Sequence, residues 1–206
     1  LLDINKNENK KVVIWMPTFR RHAKSGRNDT GTNQNSDLPI LKDENDIHNL
    51  ENYLTSKNII IIIKPHPAQD LSHFKAVSTN NIKFITNDKL LEKEIELYEL
   101  LGETDALITD YSSVYMDYLI LDKPIGFTID DINEYGNTLG FLVEDPLNYM
   151  PGPKIKTLDD MINFLEQISI EADSYKEERA RVCKIFNKYT DNKSSDRILE
   201  FLDLKK

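Results

Sequence analysis

A doubly wound α/β fold, in which parallel strands alternate with helices, follows from three features of the chain. Five consecutive isoleucines fill positions 59–63, several apolar strands end in short polar turns, and the segments between them carry helical periodicity. Lys11-Val12-Val13-Ile14-Trp15-Met16 is apolar and closes on Pro17-Thr18-Phe19-Arg20-Arg21, so it reads as a strand that delivers Thr18 and Arg20 to its carboxyl end. Lys24 to Asp37 is rich in Ser, Gly, Asn and Thr and reads as a loop, and Asp43 to Ser56 reads as a helix. The isoleucine run is far short of the roughly 18 residues that span a bilayer and reads as a central strand buried on both faces. Ile82 to Ile85 is the next expected strand, followed by one helix from Leu90 to Leu101. Asp105-Ala106-Leu107-Ile108-Thr109 is a further strand, with a helix from the Ser112-Ser113 turn to Leu121. Strands are also expected at Pro124 to Thr128 and Phe141 to Val143, and the last quarter of the chain reads as helical.

In open sheets of this kind, ligands bind outside the carboxyl ends of the strands. Three such ends carry chemistry. At Thr109-Asp110-Tyr111-Ser112-Ser113, an apolar strand runs into small hydroxyl residues that can open a helix. The N–H groups of a first helical turn have no partner within the helix, and aligned peptide dipoles place roughly half a positive charge there, so phosphate is a natural guest. The same residues can instead serve as a helix cap. Asp110, a carboxylate that would repel phosphate, is expected to cap the helix or to accept from a ribose hydroxyl. After the isoleucines, Lys64-Pro65-His66-Pro67 holds a histidine between two prolines, each of which restricts its own φ and the residue before it. That stiffness suits a ligand-positioning imidazole, and a purely structural turn is the alternative. At the first strand end, Arg20 offers a planar fork of donors and Thr18 a hydroxyl, both suited to phosphate.

Composition narrows the function classes. A net charge of −9 argues against a general nucleic-acid binder, and 39% hydrophobic with 30% charged residues over 206 positions fits one globular domain. Cys183 is the only cysteine, so no intrachain disulfide is possible and a reducing compartment is the simplest setting. Helical spacing places it in a core with Ala180, Val182 and Phe186. His22, His48 and His73 read as surface residues, and His66 with Asp110 falls short of a metal site.

In this order, Met16-Pro17-Thr18-Phe19-Arg20, Lys64-Pro65-His66-Pro67 and Thr109-Asp110-Tyr111-Ser112-Ser113-Val114-Tyr115-Met116-Asp117-Tyr118 resemble the CDP-glycerol glycerophosphotransferase family of teichoic-acid and capsule polymerases. Leu121-Asp122-Lys123-Pro124-Ile125, Gly140-Phe141, Pro151-Gly152-Pro153 and Tyr189-Thr190-Asp191-Asn192-Lys193-Ser194-Ser195-Asp196-Arg197 are similar to its downstream landmarks. Phe19, Leu139 and Asn192 depart from that pattern, where tryptophan, arginine and glycine are frequent. The loss of an arginine leaves the transferred polyol open.

The resemblance implies a Rossmann-like parallel sheet with helices on both faces, one half of a GT-B type enzyme. Residues 1–10 are then a linker or the leading edge of the piece, and 11–206 the carboxyl-terminal nucleotide-binding domain. The start at Leu1-Leu2-Asp3 fits a partial chain, with the amino-terminal domain and its general base elsewhere. It further implies a CDP-glycerol or CDP-ribitol donor, a polyol-phosphate or lipid-linked acceptor and no tightly bound cofactor, with a divalent metal left open. The setting implied is cytoplasmic, at the inner face of the membrane through parts not present here. His66 would be the catalytic residue; Thr18, Arg20, Lys64, Asp110, Ser112, Ser113, Asp191, Lys193, Ser194 and Ser195 would bind substrate. The rival readings are a GT-B glycosyltransferase or sugar-nucleotide 2-epimerase using a UDP-sugar, and a non-catalytic nucleotide-binding module.

Overall fold

The computed structural model describes residues 10–18, 38–66 and 78–204. Among the described residues, six parallel strands form one sheet: β1 (Lys11–Met16), β2 (Ile59–Ile63), β3 (Ile82–Phe84), β4 (Ala106–Thr109), β5 (Ile125–Thr128) and β6 (Lys154–Ile155). They lie in the order β3-β2-β1-β4-β5-β6, so the direction of winding reverses between β1 and β4. That reversal opens a crevice at the carboxyl ends of those two strands.

Alternation along the strands explains why both faces are covered. Val13, Trp15, Ile59, Ile61 and Ile63 point into one apolar layer, which Leu50 and Leu54 of α1 (Glu44–Lys57) and Met161, Phe164 and Leu165 of α6 (Leu158–Ser169) complete. Val12, Ile14, Ile60 and Ile62 point into the opposite layer. Leu90 of α2 (Asn87–Glu92), Leu100 and Leu101 of α3 (Leu97–Glu103), Tyr115 and Tyr118 of α4 (Val114–Tyr118) and Val182 of α7 (Lys176–Phe186) cover that face. All five residues of β2 are buried, each contributing about 1.5–3 kcal/mol relative to exposure. A 3-10 turn at Leu119–Leu121 extends α4, α5 spans Ile132–Thr138, and α8 spans Ser194–Phe201.

Local chemistry sets the boundaries. Asp43 caps α1 by accepting from Asn45 N (2.9 Å) and Asp46 N (3.0 Å), and Asn58 ends it in the left-handed region at φ 55°. The helix expected over Leu90 to Leu101 is in fact two, because Glu94 turns left-handed at φ 54° between α2 and α3. Phe141 to Val143 is not a strand: it forms a bend in which Leu142 is fully exposed. The sixth strand is instead the pair Lys154–Ile155, joined to β5 by Phe127 N to Pro153 O (2.9 Å) and Ile129 N to Ile155 O (2.9 Å). Gly152 makes this approach possible, since an added Cβ would overlap the carbonyl of Ile125. The loop expected at Lys24 to Asp37, and the surface positions expected for His22 and His73, lie outside the described residues; His48 is exposed as expected. In α7 the buried positions are Arg179 and Val182, with Cys183 and Phe186 partly covered, whereas Ala180 faces solvent.

Candidate functional site

β1, β2 and β4 are neighbours, so their carboxyl ends bring Thr18, Lys64, His66, Asp110 and the Ser112-Ser113 turn to one rim of the sheet. Arg20 and Phe19 lie outside the described residues. At the β2 end, the backbone N–H of Lys64 donates to Trp15 O (2.9 Å), which carries the β1–β2 pairing one residue past the strand. Lys64 and Pro65 are buried and His66 is exposed. Burial holds the Lys64 ammonium below its usual 10.5.

At the β1–β4 switch point, Asp110 occupies the joint itself. Its carboxylate is fully buried, and Oδ2 accepts from both the backbone N–H of Thr18 (2.8 Å) and the Thr18 hydroxyl (2.7 Å). Oδ1 accepts from Ser112 N at 3.3 Å. Thr109 adds a second tie, its hydroxyl donating to Met16 O (2.8 Å). Asp110, expected to cap the helix or to meet a ribose hydroxyl, sits buried in the β1–β4 joint with Thr18 on one oxygen and Ser112 N on the other. The position preceding α4 is Ser113, which makes no side-chain cap bond, and Ser112 Oγ approaches the N–H of Val114 at 3.5 Å. The helix is five residues long before it tightens into the 3-10 turn, so its aligned dipole is smaller than that of a long helix. Ser112 is half-buried and Ser113 exposed.

Beside this turn stands a group that the sequence reading missed. Tyr111 donates to Asp131 Oδ1 (2.9 Å), and its ring packs against Tyr135 and Phe141 at centroid separations of 4.1 and 5.4 Å. The signal was available in Tyr111 itself, a large aromatic between Asp110 and Ser112 with no apolar repeat to assign it to a core. The three rings pack on one another beside the Ser112-Ser113 turn.

Asp191, Lys193, Ser194 and Ser195 are exposed at the start of α8. Asp191 organises its own turn, accepting from Lys193 N (3.1 Å) and pairing with Arg197 (2.5 Å), whose guanidinium lies 3.8 Å from the Tyr189 ring centroid. The chain reaches that turn from Asn187, whose Nδ2 donates to Met116 O (2.7 Å) in α4. Among the described residues no group of three or more His, Cys, Asp or Glu gathers to hold a metal ion. Among the same residues no helix is long and apolar enough to cross a membrane.

The chain is similar to the teichoic acid glycerol-phosphate primase of Bacillus subtilis (strain 168), 29% identical over 202 residues that cover 95% of this chain and 44% of the relative. It is likewise 29% identical to the teichoic acid poly(ribitol-phosphate) polymerase of Bacillus spizizenii, covering 94% of this chain and 28% of that protein. The solved structure of the wall teichoic acid polymerase TagF matches with a TM-score of 0.63 and 27% identity, over 94% of this chain and 43% of that one. A putative UDP-N-acetylglucosamine 2-epimerase from Listeria monocytogenes shares the fold alone, with a TM-score of 0.51 at 9% identity. The chain thus spans less than half the length of these relatives. The model of the family "CDP-Glycerol:Poly(glycerophosphate) glycerophosphotransferase" matches residues 2–203, and the chain belongs to that family.

Proposed function

We propose that this chain is the donor-binding half of a polyol-phosphate transferase, holding a CDP-activated polyol in the crevice between β1 and β4. The observation that carries the reading is the convergence of Thr18, Lys64, His66 and the Ser112-Ser113 turn on one rim, at the point where the strand order reverses. Residues 11–206 are the domain concerned. Arg20, two positions beyond Thr18, supplies a fork for phosphate oxygens, and the turn opening α8 at Asp191, Lys193, Ser194 and Ser195 completes the pocket.

The reaction is attack by an acceptor hydroxyl oxygen on the β-phosphorus of the donor. A new P–O bond forms, the bond from that phosphorus to the bridging oxygen breaks, and its electron pair leaves on CMP. The hydroxyl proton passes to a base on the other half of the enzyme. Negative charge grows on the CMP phosphate, so the gain in rate comes from donors already aimed at that position. Removing one such donor costs about 3 to 4 kcal/mol in comparable sites. Ser112 and Ser113 are the donors on the turn. His66, exposed on a backbone stiffened by Pro65, donates to a phosphate oxygen or protonates the leaving group. Lys64 is a buried cation, and an anion brought against it would recover part of its desolvation cost. The acceptor is a polyol phosphate at the cytoplasmic face of the membrane.

Calorimetric titration of the 206-residue chain with CMP, CDP-glycerol, CDP-ribitol and UDP-N-acetylglucosamine tests the reading. Heat of binding with the cytidine nucleotides and none with the UDP-sugar is expected. Binding of the UDP-sugar without any response to the cytidine nucleotides would move the chain to the sugar-nucleotide enzymes that share its fold.

A further inference from the structure

We infer that Asp110 is the positioning residue of this site, and that it commits Thr18 to accepting a hydrogen bond from the ligand instead of donating one. The inference rests on the donor-site reading above and adds to it the hydrogen-bond polarity of one wall of the crevice.

The argument is a count of protons. Thr18 has two groups able to donate, its backbone N–H and its hydroxyl, and both are directed to the same oxygen of Asp110, at 2.8 and 2.7 Å. A hydroxyl carries a single proton and two lone pairs. With that proton held by a fully buried carboxylate, what Thr18 Oγ1 can present to the crevice is lone-pair density. Phosphate oxygens are acceptors and would be repelled by it. A ligand hydroxyl, which can donate, fits. The chemical class that Thr18 recognises is therefore a sugar or polyol hydroxyl, and the phosphate is left to Ser112 and Ser113 on the β4 side of the crevice and to Lys64 beyond β1.

Asp110 reaches both sides. Its second oxygen takes Ser112 N at 3.3 Å, so one carboxylate fixes the segment after β1 and the turn after β4 relative to each other. Charge-assisted bonds of this type are shorter and about twice as strong as neutral ones. Asp110 touches no ligand in this arrangement, since it has no accessible surface. It acts through Thr18 and Ser112.

Four variants separate this role from a purely structural one. Asp110→Asn keeps the size but places an amide N–H₂ where one of the three donors now points. Thr18→Val removes the hydroxyl and keeps the shape; Thr18→Ser keeps the hydroxyl. Asp105→Asn alters the other aspartate that holds β1, at the opposite rim, and serves as the structural control. Binding of CDP-glycerol and of CMP is measured by calorimetry, with melting temperature recorded for each variant. Asp110→Asn and Thr18→Val are each expected to weaken CDP-glycerol binding by about tenfold, the worth of one hydrogen bond to a charged or buried partner. Thr18→Ser is expected to restore it, and Asp105→Asn to leave it unchanged. Combining Asp110→Asn with Thr18→Val should cost less than the product of the two, because the second change removes a hydroxyl already released from its position. If wild-type protein binds CDP-glycerol and both Thr18→Val and Asp110→Asn bind it equally well, the inference is overturned while the donor site stands. Should Asp110→Asn fail to fold, the Thr18 pair alone decides. If the wild type binds no cytidine nucleotide, the donor-site reading fails and takes this inference with it.

Discussion

Asp105 and Asp110 bracket the same strand, and each carboxylate holds the chain of β1 against β4, but at opposite rims of the sheet. At the amino rim, Asp105 accepts from Val12 N (2.7 Å) and its own N–H donates to Val12 O (2.7 Å). It lines a cleft of about 210 Å³ with Lys11, Gln167, Glu171 and Asp173, whose charges are largely matched within the protein. Lys11 meets Glu171 at 2.6 Å, and Arg179 beside the cleft meets Asp173 at 2.5 Å. At the carboxyl rim, Asp110 is held by a hydroxyl and two backbone N–H groups, and the residues around it belong to strand ends and turns. Pairing cation with carboxylate finishes the amino rim as a joint. The carboxyl rim is left with a half-buried Thr18 and Ser112, an exposed His66 and a buried lysine held below its usual pKa. Changes at the first rim should therefore appear as stability and changes at the second as binding or rate.

The largest expected effect is at the carboxyl rim. In the full-length protein, His66→Ala should lower transfer by about 10²- to 10⁴-fold, the usual range for a lost general acid or base, with the melting temperature unchanged because the side chain is exposed. Single-turnover assay with CDP-glycerol and an acceptor checks it, and a near-normal rate would remove His66 from the mechanism. At the amino rim, Gly152→Ala should destabilise by about 3 kcal/mol or more, the upper end of overpacking penalties, because its Cβ would displace the carbonyl that starts β5. Urea unfolding would show it as a lower midpoint. Arg179→Ala should cost about 3 kcal/mol, the lower end for breaking a buried ion pair, since Arg179 is 1% exposed but its partner Asp173 is a quarter exposed.

The same pair gives a pH dependence confined to the amino rim. Arg179 holds the Asp173 carboxyl below its ordinary 3.8, so the stability it contributes is present in full above that value and is lost as pH falls through the lowered folded value. Acid unfolding of Arg179→Ala should lack this component of the slope. The smallest effect expected is Asp105→Asn, a loss of about 1 kcal/mol in chemical denaturation.

Much of the scaffold was legible because strand burial leaves a plain mark. Five isoleucines in succession can hardly be anything but a strand covered on both faces, and they are β2. Failures came where local chemistry overrode pattern. Leu90, Leu91, Ile95, Leu97, Leu100 and Leu101 read as one continuous helix, but the left-handed Glu94 divides it. Phe141-Leu142-Val143 looks like a strand by composition, yet Phe141 is drawn onto Tyr111 and Tyr135 and Leu142 is left in solvent. The pair Lys154–Ile155 is too short to show any period, and Gly152 reveals its purpose only once Ile125 is seen beside it. At the site, strand ends could be located from sequence because apolar runs end abruptly at Thr18, Lys64 and Asp110. What sequence does not show is where a carboxylate points. Asp110 could face a ligand, a helix end or a neighbouring segment with the same spelling, and only the pairing of β1 with β4 brings Thr18 to it. Arg179 was equally hidden, since a charged residue in a charged helix reads as surface until Asp122 and Asp173 are found around it.

A crystal structure of the protein with CDP-glycerol tests the central claim most directly. The account predicts the diphosphate at the carboxyl rim between β1 and β4, within hydrogen-bond distance of Ser112 and Ser113, and a polyol or ribose hydroxyl on Thr18 Oγ1. A ligand seated in the amino-rim cleft beside Lys11 and Asp105, with the β1–β4 crevice empty, would contradict it.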